Sequence, residues 1–131
     1  MGMKILLIED NLDNLEVMTC LLEPGHYQLL TAHDGQEGLD GALQNMPDLI
    51  VCDLQLSRLS GFEICKQLKD NPVLCRIPLV AVTALAMVGD RERILECGFD
   101  GYISKPINPR TFLQQIEAYL LSCSQGGGIN G

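Results

Sequence analysis

Short apolar runs alternate with longer amphipathic segments along most of the chain. The apolar runs have the length of β-strands and cover residues 4–8, 27–32, 48–52, 77–82 and 101–104. The segments that follow them carry apolar side chains at helical spacing and cover residues 13–23, 36–46, 62–69, 87–97 and 109–121. This alternation is typical of βαβ units, in which helices cover both faces of a parallel sheet. We therefore predict a doubly wound α/β domain with a five-stranded parallel sheet and five helices.

The predicted helices have recognisable ends and apolar faces. Pro24-Gly25 and Gly98 end the first and fourth helices. Asn108 is predicted to cap the fifth helix, with Pro109 as its first residue. The side chains expected to face the core are Leu15, Met18, Leu21 and Leu22, then Leu39, Ala42, Leu43 and Met46, then Phe62, Cys65 and Leu68, and last Phe112, Ile116 and Leu120.

Length and composition narrow the classes of protein further. A chain of 131 residues supports one domain, and its hydrophobic content of 47% is too high for a disordered protein. The 17 acidic and 9 basic residues give a net charge of −8, which argues against direct binding to nucleic acids or anionic lipids. We place the domain at residues 1–121. Residues 122–131 are Gly-rich without periodicity, and we expect a flexible tail there.

Cysteine usage and the absence of long apolar runs bear on the compartment. The six cysteines lack the CxxC spacing of zinc sites and thioredoxin-like motifs, and most lie in apolar stretches where cysteine acts as a small hydrophobic residue. No apolar run approaches the roughly 20 residues needed to span a bilayer, and the first residues do not resemble a signal peptide. We expect a cytoplasmic protein with free thiols.

Chemically active side chains stand at the ends of the predicted strands. They are Glu9, Asp10, Asp53, Thr83 and Lys105. In a doubly wound sheet, ligands bind beyond the carboxyl ends of the strands, so these five side chains are expected to converge. The alternative is that each of them only begins a turn or caps a helix, which is a common role for strand-ending Asp residues. Their joint placement at strand ends favours a site.

The charges of such a cluster restrict its chemistry. Two carboxylates about 4 Å apart repel each other by roughly 4 kcal/mol at an effective dielectric constant of about 20. Three carboxylates together therefore raise one another's pKa values or require a cation. Oxygen ligands of this kind suit a hard divalent ion such as Mg²⁺. A carboxylate, a divalent ion, an ammonium group and a hydroxyl together can accept and hold a phosphoryl group.

The sequence resembles the receiver domains of response regulators, the CheY-like family, over about residues 3–121. The matching residues are Glu9-Asp10, Asp53, Gly61, Thr83-Ala84 and Lys105-Pro106, each after the strand or loop that the family's pattern requires. Within the family, the chain is most similar to stand-alone DivK-like regulators, chiefly over residues 77–107. The resemblance implies a flavodoxin-like sheet of order 2-1-3-4-5 and a single-domain response regulator of a two-component phosphorelay.

The resemblance also implies a phosphoacceptor and a metal site. Asp53 would accept a phosphoryl group from a sensor histidine kinase or a histidine phosphotransfer protein. Glu9, Asp10 and Asp53, with the backbone carbonyl of Gln55, would hold Mg²⁺ or Mn²⁺. Such a protein is not an enzyme acting on other substrates, although it takes part in its own Mg²⁺-dependent phosphorylation and dephosphorylation.

Three further residues receive roles from the resemblance. Lys105 would pair with the phosphoryl oxygens, and the Lys105-Pro106 bond is expected to be cis. Thr83 would hydrogen-bond the phosphate, and Tyr102 matches the aromatic switch position that turns inward on activation. The output would be binding of a downstream protein through the surface of the fourth helix, fifth strand and fifth helix. We expect a monomer or weak dimer that binds neither nucleic acid nor membrane.

The chain departs from the usual pattern at three positions. Glu9 stands where Asp is commoner, Ser57 stands in place of a proline, and Ser60 stands in place of an Asp. Glu9 is longer by one methylene but can still reach a metal, directly or through a water molecule, and Ser60 can still cap the next helix. None of these changes removes a chemical group from the site.

Three alternatives belong to other classes of protein. A phosphohydrolase of the haloacid-dehalogenase kind needs a second Asp two residues after its nucleophile, and Gln55 occupies that place. A flavodoxin-like flavin binder needs a Ser/Thr/Gly-rich phosphate loop after the first strand, which is missing. A pseudo-receiver that acts as a phosphate-independent adaptor is the most serious rival. His26 and His33 are expected to be solvated, and residues 90–93 either form a solvated helix face or contact a partner.

Overall fold

A computed structural model describes residues 3–56, 60–84 and 88–129 of the protein. Strands and helices alternate through these ranges. The strands are β1 (Lys4–Ile8), β2 (Gln28–Ala32), β3 (Leu49–Asp53), β4 (Leu79–Thr83) and β5 (Gly101–Ser104). The α-helices are α1 (Leu12–Leu22), α2 (Gly35–Asn45), α3 (Gly61–Asp70), α4 (Val88–Cys97) and α5 (Phe112–Ile129), and a short 3-10 helix (Glu23–Gly25) follows α1.

All five strands are parallel, and their order is β2-β1-β3-β4-β5. The predicted fold class and strand order are therefore confirmed. The chain moves from β1 to one edge of the sheet at β2 and then returns past β1 to β3. The point at which this direction reverses lies between the carboxyl ends of β1 and β3, where doubly wound sheets bind their ligands.

Two apolar cores form because alternate strand residues point to opposite faces of the sheet. On one face, Ile5 and Leu7 of β1 pack with side chains of α1 and α5. On the other face, Leu6 and Ile8 pack with side chains of α2, α3 and α4. Both faces of the sheet are covered, which explains why the central strands are apolar at nearly every position. The predicted inward residues Leu15, Met18, Leu22, Leu39, Ala42, Cys65, Leu68, Phe112, Ile116 and Leu120 are all buried.

Polar side chains fix the starts of three helices. The side chains of Asn11, Asp34 and Ser60 accept hydrogen bonds from backbone N–H groups in the first turns of α1, α2 and α3. Each of these bonds satisfies a donor that has no partner within its own helix. The prediction that Ser60 caps the next helix in place of the usual aspartate is therefore confirmed.

The structure differs from the sequence-based expectation on α2. Leu43 and Met46 were predicted to face the core, but they are 51% and 44% exposed. The helix packs mainly against β1, β2 and α3. Leu39 and Ala42 fill that contact, so the next apolar positions lie at its rim.

The fifth helix also begins and ends differently from the prediction. Asn108 accepts hydrogen bonds from the N–H groups of Arg110, through its side chain, and of Thr111 and Phe112, through its carbonyl. These bonds close a turn ahead of the helix, which therefore begins at Phe112 instead of Pro109. The helix continues to Ile129, within the stretch predicted to be a Gly-rich tail. Whether that stretch is flexible in solution stays a prediction.

None of the helices in the described ranges is long and apolar enough to cross a bilayer.

Candidate functional site

The carboxyl ends of β1 and β3 bring three acidic residues together. Ile8 of β1 is in register with Cys52 of β3, so Glu9 and Asp53 follow neighbouring positions of the two strands. One carboxylate oxygen from each of Glu9, Asp10 and Asp53 lies within 4.8 Å of the other two. Glu9 and Asp53 are buried, whereas Asp10 is half-buried and gives the cluster access to solvent.

Gly61 holds the loop after β3 against the start of α3. Its N–H donates to the carbonyl of Leu54 at 2.9 Å. A Cβ at this position would lie 2.7 Å from the carbonyl oxygen of Asp53 and 2.7 Å from the Cα of Leu54, both of which are backbone atoms. The residue must therefore be glycine for α3 to approach the acidic residue so closely.

Lys105 brings a positive charge to the cluster from the end of β5. Its Nζ lies 3.0 Å from Oδ2 of Asp53 and 3.4 Å from Oε1 of Glu9. Burial lowers the pKa of Lys105. The hydrogen bond to Asp53 and the charges of both carboxylates raise it by more than burial lowers it, so the pKa is higher than usual. The ammonium group is therefore firmly charged where it meets the acids.

One lysine does not balance the acidic cluster. Oε2 of Glu9 accepts a hydrogen bond from the N–H of Asn11 at 3.2 Å, whereas its buried Oε1 has no hydrogen-bond partner within the described ranges. Burial, followed by the neighbouring Asp53, raises the pKa of Glu9 to about 7. This buried oxygen accepts no hydrogen bond in the described part of the chain and has the Lys105 ammonium at 3.4 Å; beside two further carboxylates, it fits a divalent cation with oxygen ligands.

Asp53 is oriented by its own loop. Its Oδ1 accepts a hydrogen bond from the N–H of Gln55 at 3.0 Å, while Oδ2 faces Lys105. The side chain of Gln55 is exposed and is not an acid, so the site lacks the second Asp of a haloacid-dehalogenase phosphohydrolase. Ser57, at which the sequence departs from the receiver pattern, lies outside the described residues.

The ends of β4 and β5 complete the site. Thr83 is buried at the end of β4 and pairs in register with Ser104. Its carbonyl accepts the N–H of Lys105 at 2.8 Å, and the Lys105-Pro106 bond is cis. Ala84, Lys105 and Pro106 line a cleft of about 520 Å³ that opens beside α1. The expected cis bond is therefore present. The cleft allows a small molecule or a side chain to approach Lys105.

Tyr102 lies on β5, away from the carboxylates and next to α4. It is half-buried, and the guanidinium of Arg91 lies 5.8 Å from the centre of its ring. Arg93 stacks in the same manner on Phe62, at 4.2 Å. The sequence does not predict these two contacts. The signal nearest to them is the charged run at residues 90–93, which is compatible with a solvated helix face or with a partner contact.

Comparisons with known proteins agree with this geometry. Residues 5–117 match the response regulator receiver domain family. The chain is 43% identical over 120 residues to the polar-differentiation response regulator DivK of Brucella anthropi, covering 92% of this chain and 98% of the relative.

Solved structures show the same relationship. A CheY-like receiver domain protein from Methanospirillum hungatei superposes with a TM-score of 0.86 at 26% identity, covering 95% of this chain and 98% of that one. The receiver domain of the sensor histidine kinase PA1611 from Pseudomonas aeruginosa, described with magnesium coordinated in its active site cleft, superposes with a TM-score of 0.83 at 29% identity over 92% and 98% of the two chains. With its sheet order and its strand-end acids, the chain belongs to the response regulator receiver domain family, whose members act in phosphorelay signalling.

Proposed function

We propose that Asp53 is the phosphoacceptor of this receiver domain. The observation that carries the proposal is the position of its carboxylate, which is buried at the reversal point of the sheet with Lys105 Nζ 3.0 Å from Oδ2. An oxygen of Asp53 attacks the phosphorus of a phosphohistidine, the O–P bond forms and the N–P bond breaks. The phosphodonor is a sensor histidine kinase or a histidine phosphotransfer protein. The chain is thus a carrier of the phosphoryl group rather than an enzyme for other substrates.

Glu9, Asp10 and Asp53 are the side chains that would hold Mg²⁺ or Mn²⁺, and the backbone carbonyl of Gln55 would add a ligand. Two observations support this assignment: Oε1 of Glu9 accepts no hydrogen bond among the described residues, and the three carboxylates are closely spaced. When bound, the divalent ion would offset negative charge on the acids and on the phosphoryl oxygens. The magnesium in the PA1611 receiver domain supports the same choice of metal.

Lys105 and Thr83 change their contacts when Asp53 carries the phosphoryl group. Transfer converts the Asp53 carboxylate into an acyl phosphate, so the ammonium of Lys105 exchanges its contact with Asp53 for one with a phosphoryl oxygen. The hydroxyl of Thr83 donates a hydrogen bond to another phosphoryl oxygen. The small side chain of Ala84, which is exposed at the end of β4, leaves room for the phosphate.

The shift at Thr83 is passed to Tyr102 and to the surface formed by α4, β5 and α5. Tyr102 turns inward when Thr83 moves towards the phosphate, and this changes which form of the surface is populated. A downstream protein that prefers the phosphorylated form binds there. We propose that the protein works in the cytoplasm as a monomer or weak dimer and contacts neither nucleic acid nor membrane.

The test is phosphorylation without a kinase. The wild type with Mg²⁺ and acetyl phosphate should gain the mass of one phosphoryl group, and beryllofluoride with Mg²⁺ should change its spectra. Asp53→Asn should abolish both responses, while the matched control Asp40→Asn, at an exposed position on α2, should retain them. If the wild type shows no mass gain and no spectral change, the phosphate-independent adaptor replaces this proposal.

A further inference from the structure

Two cysteines meet where α3 packs against α4. Cys65 lies in the middle of α3 and is fully buried, and Cys97 is the last residue of α4 and is half-buried. The Cys65 thiol donates to the carbonyl of Cys97 at 3.4 Å. The Cys97 thiol in turn donates to the carbonyl of Phe62 at 3.5 Å, one turn before Cys65 on α3. Each sulfur therefore lies against the backbone of the other helix.

The electrostatics of Cys65 agree with direct contact between the thiols. Burial raises the pKa of Cys65 to about 12, and the next largest cause is a hydrogen bond with the thiol of Cys97. The charge of Lys69 acts in the opposite direction. Cys65 is thus a protonated thiol in the reduced protein, and it is not the sulfur that an oxidant meets first.

A surface groove lies next to the pair on the Cys97 side. This shallow groove of about 520 Å³ between α3 and α4 is lined by Cys97 together with Phe62, Glu63, Lys66, Arg93 and Glu96. Cys65 does not line it. A small polar oxidant can therefore reach Cys97, while Cys65 lies immediately behind it.

We propose that Cys65 and Cys97 are a redox-active pair that hydrogen peroxide oxidises to an intramolecular disulfide joining α3 to α4. The thiolate of Cys97 displaces hydroxide from the peroxide and becomes a sulfenic acid. The Cys65 sulfur then attacks the Cys97 sulfur, the S–S bond forms and the sulfenic oxygen leaves as water. In total, two thiols and one peroxide give one disulfide and two waters, and a thiol reductant reverses the reaction.

The backbone at Gly98 lies next to the cysteine pair. Gly98 has a φ of +122°, and a Cβ there would lie 3.5 Å from the sulfur of Cys65 and 3.0 Å from Cγ of Lys69. The glycine thus ends α4 without a side chain over Cys65. The disulfide would fix the carboxyl end of α4 to α3, whether or not Asp53 is phosphorylated.

The experiment treats the full-length protein, fully reduced and freed of reductant, with hydrogen peroxide in small molar excess. Peptide mapping under non-reducing conditions should show one Cys65–Cys97 cross-link within the monomer, with the loss of two hydrogen atoms in intact mass and reversal by dithiothreitol. Cys97→Ser should abolish the cross-link. Cys65→Ala should leave a sulfenic acid at Cys97 that dimedone traps, and the control Cys75→Ser should leave the cross-link unchanged.

The proposal is overturned if Cys97 of the wild type is converted to sulfinic acid while Cys65 remains a free thiol. It is also overturned if another cysteine forms the disulfide. Both outcomes are measured on the wild type, so they do not depend on the folding of the variants. They also do not depend on phosphorylation, so failure here leaves the role of Asp53 untouched.

Discussion

The Lys105 ammonium lies 3.0 Å from Oδ2 of Asp53, with only 21% of the lysine side chain and 4% of the aspartate side chain exposed. The same ammonium lies 3.4 Å from Glu9, which is fully buried. One cation therefore serves two buried acids. Without it, Glu9 must either take up a proton or repel the charged Asp53, and this is a larger perturbation than the loss of an exposed ion pair.

Lys105→Met should destabilise the metal-free protein by about 1–3 kcal/mol, because the two acids lose their shared cation and the lysine is partly solvated. Chemical denaturation in EDTA measures the change. Lys69→Met is the comparison, since Lys69 pairs at 3.3 Å with the more exposed Asp100 and should cost less than about 1 kcal/mol. Equal losses in the two variants would contradict the shared-cation interpretation.

Mg²⁺ should raise the stability of the wild type, because the ion binds the folded acidic cluster and not the unfolded chain. A concentration ten times the dissociation constant gives about 1.4 kcal/mol, which thermal melts at increasing Mg²⁺ can resolve. Asp10→Asn should weaken this response and Asp40→Asn should not. A wild-type melting temperature that does not depend on Mg²⁺ would refute the metal site.

Much of the site could be predicted from the chain because strand ends are local features. Glu9, Asp53, Thr83 and Lys105 each follow an apolar run, and parallel strands bring such positions to one edge of the sheet. The sequence could not predict the distances between these side chains. That Lys105 reaches both acids, and that Oε1 of Glu9 lacks a hydrogen-bond donor within the described part of the chain, depends on the packing of β1, β3 and β5.

The errors on the helices have the same origin. Helical spacing identifies an apolar stripe but not the width of the surface that covers it, so Leu43 and Met46 were assigned to a core that ends at Leu39 and Ala42. Before α5, Asn108 is a residue type that often caps helices. Here its side chain closes a separate turn, and the helix begins only at Phe112. The Cys65–Cys97 contact joins residues 32 positions apart and leaves no local signal.

Gly61→Ala should lower the free energy of unfolding by about 1–3 kcal/mol, because the new Cβ would press on backbone atoms of the loop that carries Asp53. Phosphorylation by acetyl phosphate should slow as well. Gly89→Ala on α4 is the matched control, since a Cβ there meets nothing within 4 Å, and it should stabilise the helix by about 0.5–1 kcal/mol. Similar effects of the two substitutions would contradict the close-approach argument.

Tyr27 gives a pH-dependent contribution to stability at a place remote from the site. Its hydroxyl donates to Oε2 of Glu117 on α5 at 2.7 Å. Burial, followed by that hydrogen bond and the charge of Glu117, raises the pKa of Tyr27 from 10.0 to about 12. Because the pKa is higher in the folded than in the unfolded chain, the stabilisation is complete below pH 10 and is lost as the pH rises through 12.

Tyr27→Phe should therefore be less stable than the wild type at neutral pH by about 0.5–1.5 kcal/mol, the net value of one hydrogen bond. The difference between the two proteins should shrink as the pH is raised from about 10 towards 12, because ionised tyrosine can no longer donate. Denaturation of both proteins across this range measures it, and the difference in tyrosinate absorbance between the wild type and Tyr27→Phe shows the pH at which Tyr27 ionises. A difference that stays constant over that interval would mean that the hydroxyl is not held by Glu117 in solution.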